Sequence, residues 1–411
     1  MRFIMVAIVA AALGFTPVTT GLRADPGTLV IVGGGLDPEN EDVFSAFLDA
    51  RPPGNRSVAI VPAASGEPHR SAQSFRAALI RHGVEPSQIE VVRLAMEDDP
   101  ATPEVDEADW ASNAHAPVEI DRIKRAGAIW FTGGDQLRIT RLLIDPAGGD
   151  TPMLAVLRQR LSEGAVIGGT SAGAAMMSDP MITRGDTFAA LVPGGAGEPL
   201  EFGRGLGLLP GMVVDQHFGE RARLGRLAAL LVNDDQPQRT GIGIDEDTAF
   251  VVRADDRRGK VVGSGYVTFI DAREARKAPG DRFSASGFVI SLVSQGDSID
   301  FVSGTVTPAP FKAATIANEY FDRKPISGGG MALGGASLAE VVGESLLDNS
   351  AASSVERHSF AGRLGVTYRF VQTAGSRGWW GRAPDDDASY ALEGIRFDIE
   401  ALEIEFRKAE H

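Results

Sequence analysis

The sequence predicts an α/β fold: a mostly parallel sheet with flanking helices that finishes in antiparallel strands. Three observations support this prediction. Short apolar runs end in glycine or polar turns, longer amphipathic stretches alternate with them, and the alternation stops near Gly241. Buried parallel strands read as continuous apolar runs, and strands that alternate with helices through right-handed crossovers build a parallel sheet.

The individual elements follow from these patterns. The parallel strands are predicted at Leu29–Val32, Ser57–Val61, Ile89–Leu94, Gly127–Phe131 and Gly164–Ile167. The helices between them are predicted at Asp42–Arg51, Ser71–His82, Val118–Arg125 and Pro152–Glu163. The later, antiparallel strands are predicted at Gly241–Val252, Lys260–Ile270, Ser286–Val293 and Ser298–Val302. In open sheets of this kind, ligands bind beyond the carboxyl ends of the parallel strands, where the glycine-rich loops of this chain cluster.

Residues 1–24 have the pattern of a secretory signal peptide. Arg2 supplies a positive start, Ile4–Phe15 is a small apolar run, and Thr16–Ala24 is small and polar. A membrane-spanning helix needs about 20 apolar residues, so a cleaved signal is favoured over an uncleaved anchor. We therefore expect a secreted protein, extracellular or periplasmic, that does not associate with a membrane.

The mature chain divides into two parts on composition. Residues 25–306 carry the predicted sheet and form the expected catalytic domain. Beyond Thr307 the chain becomes rich in glycine and small residues, as in Ser327–Ser337. The strand-like pieces Leu364–Val371 and Gly394–Phe406 indicate a small appended module. Residues 307–411 are therefore predicted to be a C-terminal extension of unknown role.

The composition excludes several kinds of chemistry. The 411 residues include no cysteine, which removes disulfides, thiolate zinc sites, iron–sulfur clusters, cysteine nucleophiles and a lipidated cysteine anchor. Forty Lys and Arg against 55 Asp and Glu give a net charge of −15, which argues against nucleic-acid binding. We expect an enzyme that uses oxygen and nitrogen groups, with no metal and no cofactor.

The segment Gly169–Gly173 fits the pattern G-x-S-x-G, directly after an apolar strand and before the helix-like stretch Ala172–Met177. In a nucleophile elbow the serine sits on a strained strand-to-helix turn, and the helix amides face the developing oxyanion. Ser171 is therefore the candidate nucleophile. The alternative is a small-residue turn whose serine only caps the helix.

A serine nucleophile needs a base, and His217 is the best placed of the six histidines. It follows the apolar run Met212–Val214, again at the predicted carboxyl end of a strand. The remaining five lie in polar helices, loops or the tail: His69, His82, His115, His358 and His411. We expect Ser171 and His217 at the same edge of one sheet, as acyl transfer requires, although a buried core histidine is the alternative.

The identity of the carboxylate that would orient the imidazole stays open at this point. Asp186 comes 15 residues after Ser171, and Glu198 and Glu201 are its rivals. Any of the three could equally be a solvated loop carboxylate.

Further polar groups follow the same strand ends. The Gly133–Gly134 loop offers backbone amides as oxyanion donors together with that of Ala172, and Gln136 can hydrogen-bond substrate. Downstream of His217, three arginines lie within two helical turns and favour recognition of carboxylates, which the guanidinium fork binds in pairs of hydrogen bonds: Arg221, Arg223 and Arg226.

The turn Gly33–Gly35 does not match a dinucleotide fingerprint. That motif needs a glycine at its sixth position, where this chain has Pro38, a residue that also cannot lie inside the following helix. We interpret these glycines as a tight turn at a strand end.

Four motifs in this order resemble the cyanophycinases, serine peptidases related to the aspartyl dipeptidases. They are Phe131–Gln136, Gly169–Ala174, Asp215–Phe218 with the three arginines, and Gly241–Thr248, and the resemblance spans Thr28 to Val306. It implies a flavodoxin-like fold of the class I glutamine amidotransferase type. It also implies an exopeptidase that cuts cyanophycin, a poly-aspartate with arginine on each β-carboxyl, into β-Asp-Arg dipeptides.

By the same resemblance, Ser171 is the nucleophile and His217 the base. The residues that it places along the substrate cleft are Gln136, Asp215, Gln216, Arg221, Arg223 and Arg226. The third triad member departs from the pattern, because cyanophycinases carry a glutamate slightly later than Asp186, where this chain has Phe188-Ala189. The related dipeptidases carry an aspartate at the offset of Asp186, so Asp186 is the prediction.

Two other functions stay open. One is a secreted dipeptidase acting on short aspartyl or isoaspartyl peptides, and the other is a catalytically silent binding protein of the same fold. The expected partner is cyanophycin or a β-aspartyl peptide, and a homodimer is compatible with the sequence.

Overall fold

The chain folds into two large β-sheets and a two-stranded ribbon, which the computed structural model describes over residues 26–333, 335–383 and 387–405. The predicted leader, residues 1–24, and His411 lie outside the described residues.

In chain order the strands are β1 (Thr28–Val32), β2 (Val58–Val61), β3 (Ile89–Val91), β4 (Ala128–Phe131), β5 (Val166–Thr170), β6 (Met181–Arg184), β7 (Glu201–Gly203), β8 (Val213–Gln216), β9 (Thr240–Ile244), β10 (Thr248–Arg253), β11 (Arg258–Gly263), β12 (Val267–Asp271), β13 (Arg276–Lys277), β14 (Ser284–Val293), β15 (Ser298–Asp300), β16 (Thr305–Thr307), β17 (Ala313–Ala314), β18 (Ser354–Ala361), β19 (Leu364–Val371), β20 (Arg377–Arg382) and β21 (Ala388–Glu403).

The α-helices are α1 (Glu41–Asp49), α2 (Pro68–Arg81), α3 (Pro117–Arg125), α4 (Gln136–Leu143), α5 (Pro152–Ser162), α6 (Ala172–Ala175), α7 (Thr187–Leu191) and α8 (Leu224–Leu231). Short 3₁₀ segments lie at Pro86–Gln88 and Glu107–His115, and a π-helix lies at Ala339–Leu347. Over the described part of the chain, no helix combines the length and the apolarity that crossing a bilayer requires.

The first sheet has the order β16-β15-β11-β10-β1-β5-β4-β2-β3. The five strands from β1 to β3 in this order are parallel, and β10, β11, β15 and β16 extend the other edge in antiparallel fashion. This confirms the predicted α/β class, with a parallel sheet that finishes antiparallel.

Both faces of the parallel strands are buried, which explains their continuous apolar runs. In β1, Leu29 and Ile31 enter a core shared with α3, α4 and α5. Val30 and Val32 enter a second core on the opposite face, shared with α1 and α2. Because neighbouring strand residues point to opposite faces, helices on both sides demand apolar residues at every position.

The register of the central strands aligns their carboxyl ends. Val32 of β1 pairs with Thr170 of β5, and Phe131 of β4 pairs with Gly169. The loops that follow these three strands therefore open at one edge of the sheet.

The second sheet follows the order β17-β20-β21-β14-β12-β9-β8, with β13, β18 and β19 attached to it. Strands β17 to β21 come from residues 307–411, and β21 pairs with β14 of the preceding segment. Phe397 of β21 packs against Phe288 of β14, with ring centroids 5.8 Å apart in a shared buried core. The C-terminal segment thus supplies half of the second sheet and much of its core.

Two segments that were predicted as single strands are each two strands in different sheets. Gly241–Val252 divides into β9 of the second sheet and β10 of the first, and Lys260–Ile270 divides into β11 and β12. The breaks fall on the polar turns Asp245–Asp247 and Ser264–Gly265, which cannot continue a buried strand. The chain therefore crosses between the two sheets at both turns.

Candidate active site

Ser171 occupies a strained turn between β5 and α6. Its φ of 55° and ψ of −110° lie in a region that non-glycine residues rarely adopt. The turn closes so tightly that a Cβ at Gly169 would lie 2.5 Å from the carbonyl oxygen of Gly173. A Cβ at Gly173 would likewise lie 2.5 Å from the carbonyl oxygen of Phe131, so both glycines of the G-x-S-x-G pattern are required sterically. The serine projects from the strand end as an elbow.

The hydroxyl of Ser171 lies within hydrogen-bonding distance of His217, with 2.8 Å between Oγ and Nε2. His217 also adopts a positive φ of 46°, and its backbone N–H donates to the carbonyl oxygen of Gly33 at 2.7 Å. The expectation that both residues belong to one sheet was wrong. Ser171 follows β5 of the first sheet, whereas His217 follows β8 of the second. The pair forms where the edges of two sheets meet.

Glu246 is the carboxylate that contacts the imidazole, through Oε1 to Nδ1 of His217. It lies in the turn between β9 and β10, where the chain passes from the second sheet to the first.

The three acids predicted from the sequence lie elsewhere. Asp186 accepts a hydrogen bond from the backbone N–H of Glu198 at 2.9 Å, and Glu201 pairs with Arg184 at 3.1 Å. The ring nitrogens of His217 contact Ser171 and Glu246, and none of these three acids is among their partners in the described part of the chain. The assignment of Asp186 as the orienting carboxylate is therefore corrected to Glu246.

The Gly33–Gly35 turn forms a wall of this triad. Gly34 has φ +122°, and a Cβ there would lie 2.2 Å from Cε1 of His217. A Cβ at Gly35 would lie 2.7 Å from Oε2 of Glu246. The turn is thus more than a strand-end reversal, because its backbone packs directly on the imidazole and its carboxylate.

The surroundings of His217 favour its neutral form. Burial lowers the pKa of His217, the hydrogen bond to Glu246 opposes that shift, and the cations of Arg221 and Arg223 lower it further. The net effect is a pKa below the ordinary histidine value. A neutral Nε2 facing a serine hydroxyl is the state that a general base requires.

The predicted oxyanion donors lie at different distances from the nucleophile. Gly133 is adjacent to it, since a Cβ at Gly133 would lie 3.9 Å from Oγ of Ser171. Ala172 directly follows Ser171 and begins α6. Gly134 instead packs against the backbone of Ala64, because a Cβ at Gly134 would lie 2.0 Å from the carbonyl oxygen of Ala64. The structure therefore brings Gly133 and Ala172 closest to the reacting hydroxyl.

Two of the three predicted arginines are buried. Arg226 is 4% exposed and donates from Nε to Asp215 at 2.8 Å, and Asp215 is 1% exposed. Arg223 donates to the carbonyl oxygen of Gln216 and lies 3.6 Å from Asp215. Only Arg221 of the trio is exposed to solvent.

This burial shifts the ionisation of the cluster. Although burial alone would raise it, the guanidinium of Arg226 holds the pKa of Asp215 below its usual range. Burial lowers the pKa of Arg223 to about 10, against the opposing effect of Asp215. Asp215, Arg223 and Arg226 thus form a buried charged cluster at the end of β8, and of the three arginines only Arg221 is exposed.

The two predicted glutamines also differ in their surroundings. Gln136 donates from Nε2 to the carbonyl oxygens of Ile182 and Thr183 at 2.9 and 2.7 Å, which anchors β6. Gln216 is buried next to His217, and its Oε1 has no hydrogen-bond partner among the described residues. A buried acceptor without a partner is costly, so Gln216 is the glutamine suited to a ligand.

Asp245, next to Glu246, links the loop after His217 to the start of β12. Its Oδ1 accepts from the backbone N–H of Gly219 at 2.8 Å, and its Oδ2 accepts from that of Tyr266 at 3.1 Å. Burial, together with the nearby carboxylates of Glu220 and Glu246, raises the pKa of Asp245 to about 7.

Sequence reasoning missed Glu246, although it quoted the Gly241–Thr248 motif that contains it. The indication was present, since three consecutive acids, Asp245 to Asp247, interrupt an apolar run there. Treating the run as one continuous strand concealed the turn.

The model of peptidase family S51 matches residues 29–259, more than half of the chain. The cyanophycinase of Geminocystis herdmanii (strain PCC 6308) is 33% identical over 248 residues, covering 60% of this chain and 81% of that protein. The cyanophycinase of Trichormus variabilis (strain ATCC 29413 / PCC 7937) is 30% identical over 300 residues, covering 70% and 90%.

A solved structure, a peptidase from an acI-B1 Actinobacterium, is also similar. It has a TM-score of 0.46 and 21% identity, and the match covers 68% of this chain and 98% of that one.

Proposed function

This chain belongs to peptidase family S51 and is a serine-type peptidase, and on that premise we propose that it hydrolyses cyanophycin to β-Asp-Arg dipeptides. The observation that carries the proposal is the hydrogen-bonded series from Ser171 through His217 to Glu246. The similarity to two cyanophycinases supports the choice of substrate.

The mechanism follows from this geometry. His217 takes the proton of Ser171 on Nε2 as Oγ attacks the backbone carbonyl of the polymer. Glu246 holds the imidazole in the required tautomer and stabilises the imidazolium that forms. Protonated His217 then donates to the leaving amine, and water activated by the same histidine releases the acyl-enzyme.

The developing oxyanion needs donors that are already in place. The amides of Ala172 and Gly133 are the best-placed candidates, because the first starts a helix at the nucleophile and the second lies against its side chain. Each oxyanion donor contributes roughly 10²–10³-fold in kcat in other acyl-transfer enzymes.

Recognition of the substrate is assigned to two groups beside His217. Exposed Arg221 can bind a substrate carboxylate through its guanidinium fork, and the unpartnered oxygen of Gln216 can accept an N–H from the substrate. Arg223, Arg226 and Asp215 act indirectly, since their charges are already engaged with one another.

The experiment is to incubate the purified protein with insoluble cyanophycin and identify the released products by mass spectrometry. We expect β-Asp-Arg dipeptides from the wild type and none from Ser171→Ala. Ser162→Ala is the matched control, because that exposed hydroxyl only bonds the carbonyl oxygen of Gln159 at 2.7 Å. Dipeptide release by Ser171→Ala would overturn the mechanism. Cleavage of soluble β-aspartyl dipeptides without cleavage of the polymer would show that short peptides, and not cyanophycin, are the substrate.

We also propose that the protein is exported, on the pattern of residues 1–24. Expression of the full chain in a bacterial host, followed by N-terminal sequencing of the exported product, tests this. A start at or near Asp25 supports cleavage, and an intact Met1 in a cytosolic product contradicts it.

A further inference from the structure

A cavity of about 320 Å³ lies next to the loop that carries His217. Its lining includes Asp186, Glu220 and Arg221, and the C-terminal segment contributes Ala332 and Leu333. None of the functions assigned above uses Asp186 or the C-terminal segment.

Two walls of the cavity are tied to the catalytic residues. The backbone N–H of Arg221 donates to the carbonyl oxygen of His217 at 3.2 Å. Glu220 accepts from the backbone N–H of Glu246 at 3.1 Å. A ligand in this cavity therefore contacts residues that are hydrogen-bonded to His217 and to Glu246.

The charges of the cavity are mixed. It contains the carboxylates of Asp186 and Glu220 and the guanidinium of Arg221, all three exposed to solvent. One cation and two anions in a single cavity complement a ligand that carries a carboxylate and a guanidinium together. An arginine with a free α-carboxylate has both groups.

The apolar part of the lining fits the rest of such a ligand. Leu333 is a large apolar side chain that is 51% exposed, and it faces the cavity with Ala332. The backbone N–H groups of Met331 and Ala332 both donate to Oγ of Ser359 in β18 at 3.0 Å, which fixes this segment. The methylene stem of arginine buries well against such a surface, while its charged end stays among polar groups.

We propose that this cavity binds the arginine moiety of the substrate, with its α-carboxylate on Arg221, its guanidinium on Asp186 and Glu220, and its stem against Leu333. The assignment rests on the proposed function for the identity of the substrate. It gives the C-terminal segment a part in specificity, and it gives Asp186 a role in binding.

Binding to the inactive Ser171→Ala protein tests the cavity separately from turnover. Isothermal titration compares β-Asp-Arg with β-Asp-citrulline, whose neutral urea group has the shape of a guanidinium. We expect the arginine dipeptide to bind more tightly. Adding Asp186→Asn should weaken its binding about 10- to 100-fold, because a charge-assisted hydrogen bond is lost, and should leave the citrulline dipeptide nearly unchanged.

Asp186→Asn keeps an acceptor for the N–H of Glu198. Glu220→Gln is a second variant, and it too should weaken the binding of the arginine dipeptide and leave that of the citrulline dipeptide nearly unchanged. Asp255→Asn is the charge-matched control, since that acid pairs with Arg253 at 3.5 Å outside the cavity. Equal losses of affinity for both dipeptides, or an unchanged preference for the arginine dipeptide in both Asp186→Asn and Glu220→Gln, would overturn the assignment. Arginine-selective binding that depends on Asp186, in a protein that does not digest cyanophycin, supports the cavity and overturns the proposed activity.

Leu333→Ser gives a different signature. Because both dipeptides share the methylene stem, each should bind roughly 3- to 10-fold more weakly, with the arginine preference kept. A loss of affinity for the arginine dipeptide alone would contradict the contact proposed between the methylene stem and Leu333.

Discussion

The serine side and the histidine side of the active site are built by different means. Around Ser171 the walls are backbone and small neutral residues, and a tight turn positions the hydroxyl by steric exclusion. Around His217 the Gly33–Gly35 turn packs on the ring, but the other neighbours are charged, with Asp215, Arg226 and Glu246 in contact with one another or with the imidazole. Steric positioning does not depend on pH or salt, whereas charges set the ionisation of their neighbours. Substitutions on the two sides should therefore fail in different ways.

The largest effect should come from the carboxylate on the histidine side. Glu246→Gln keeps a hydrogen-bond partner but removes the charge that stabilises the imidazolium, so kcat should fall about 10³- to 10⁴-fold. The steady-state rate at which β-Asp-Arg dipeptides are released from cyanophycin measures it. Asp247→Asn is the matched control, because its carboxylate only supports the neighbouring turn through Asp37 and Ser264, and it should keep kcat within about threefold. A larger loss in Asp186→Asn than in Glu246→Gln would return the third triad position to Asp186.

The next effect concerns stability. Arg226→Met leaves Asp215 buried without its main partner, which should lower the free energy of unfolding by about 3–5 kcal/mol. Urea unfolding at neutral pH measures it, and the double variant with Asp215→Asn should recover much of the loss.

The sign of the pH dependence is fixed by the lowered pKa of Asp215. The stabilisation in the wild type is present above the unfolded-state pKa, near 3.9, and is lost as the pH falls through the lower folded-state value. If Arg226→Met and the wild type unfold alike at pH 7, the pair makes no net contribution.

The glycine turn that packs on His217 gives the steric test: Gly34→Ala should lower kcat/KM about 100-fold with little change in KM. The new Cβ would meet the ring of His217 at 2.2 Å and displace it from Ser171, and a misplacement of about 1 Å costs roughly that factor. Gly66→Ala is the control, because the nearest atom to its Cβ would be Nη1 of Arg138 at 3.5 Å. Since this defect is steric, raising the pH should not rescue it, and rescue at high pH would contradict the comparison.

The smallest effect is a shift in the pH profile. Arg221 lowers the pKa of His217, so Arg221→Ala should raise that pKa and move the acid limb of kcat/KM to higher pH. The position of the limb is the readout, because its height also reflects substrate binding. Arg276→Ala, which removes a distant exposed arginine, should leave the limb in place. An unchanged limb would mean that the charge of Arg221 does not reach the imidazole, and a shift toward lower pH would contradict the sign given to its effect.

The serine side was predictable from sequence because its requirements are local. Gly169, Ser171 and Gly173 are close in sequence, and the strand and helix around them carry their own patterns. His217 was also found, since it follows a short apolar run. Glu246 was not, because its role depends on a turn between two sheets, and apolar periodicity does not report which sheet a strand joins.

The burial of the arginines could not be predicted either. Arg221, Arg223 and Arg226 look alike in the sequence, but only tertiary packing places Asp215 beside Arg226 and leaves Arg221 exposed. In the same way, strand patterns in residues 307–411 did not reveal that they complete the second sheet, since β21 pairs with β14 between residues that are 100 to 116 positions apart in sequence.

The β9–β10 turn has one further consequence. It carries Glu246 across the boundary between the sheets, and Ser171 and His217 come from opposite sides of that boundary. A chain in which only one sheet has formed has a nucleophile without a base, or a base without a nucleophile. The three catalytic groups therefore come together only when both sheets have formed and packed against each other.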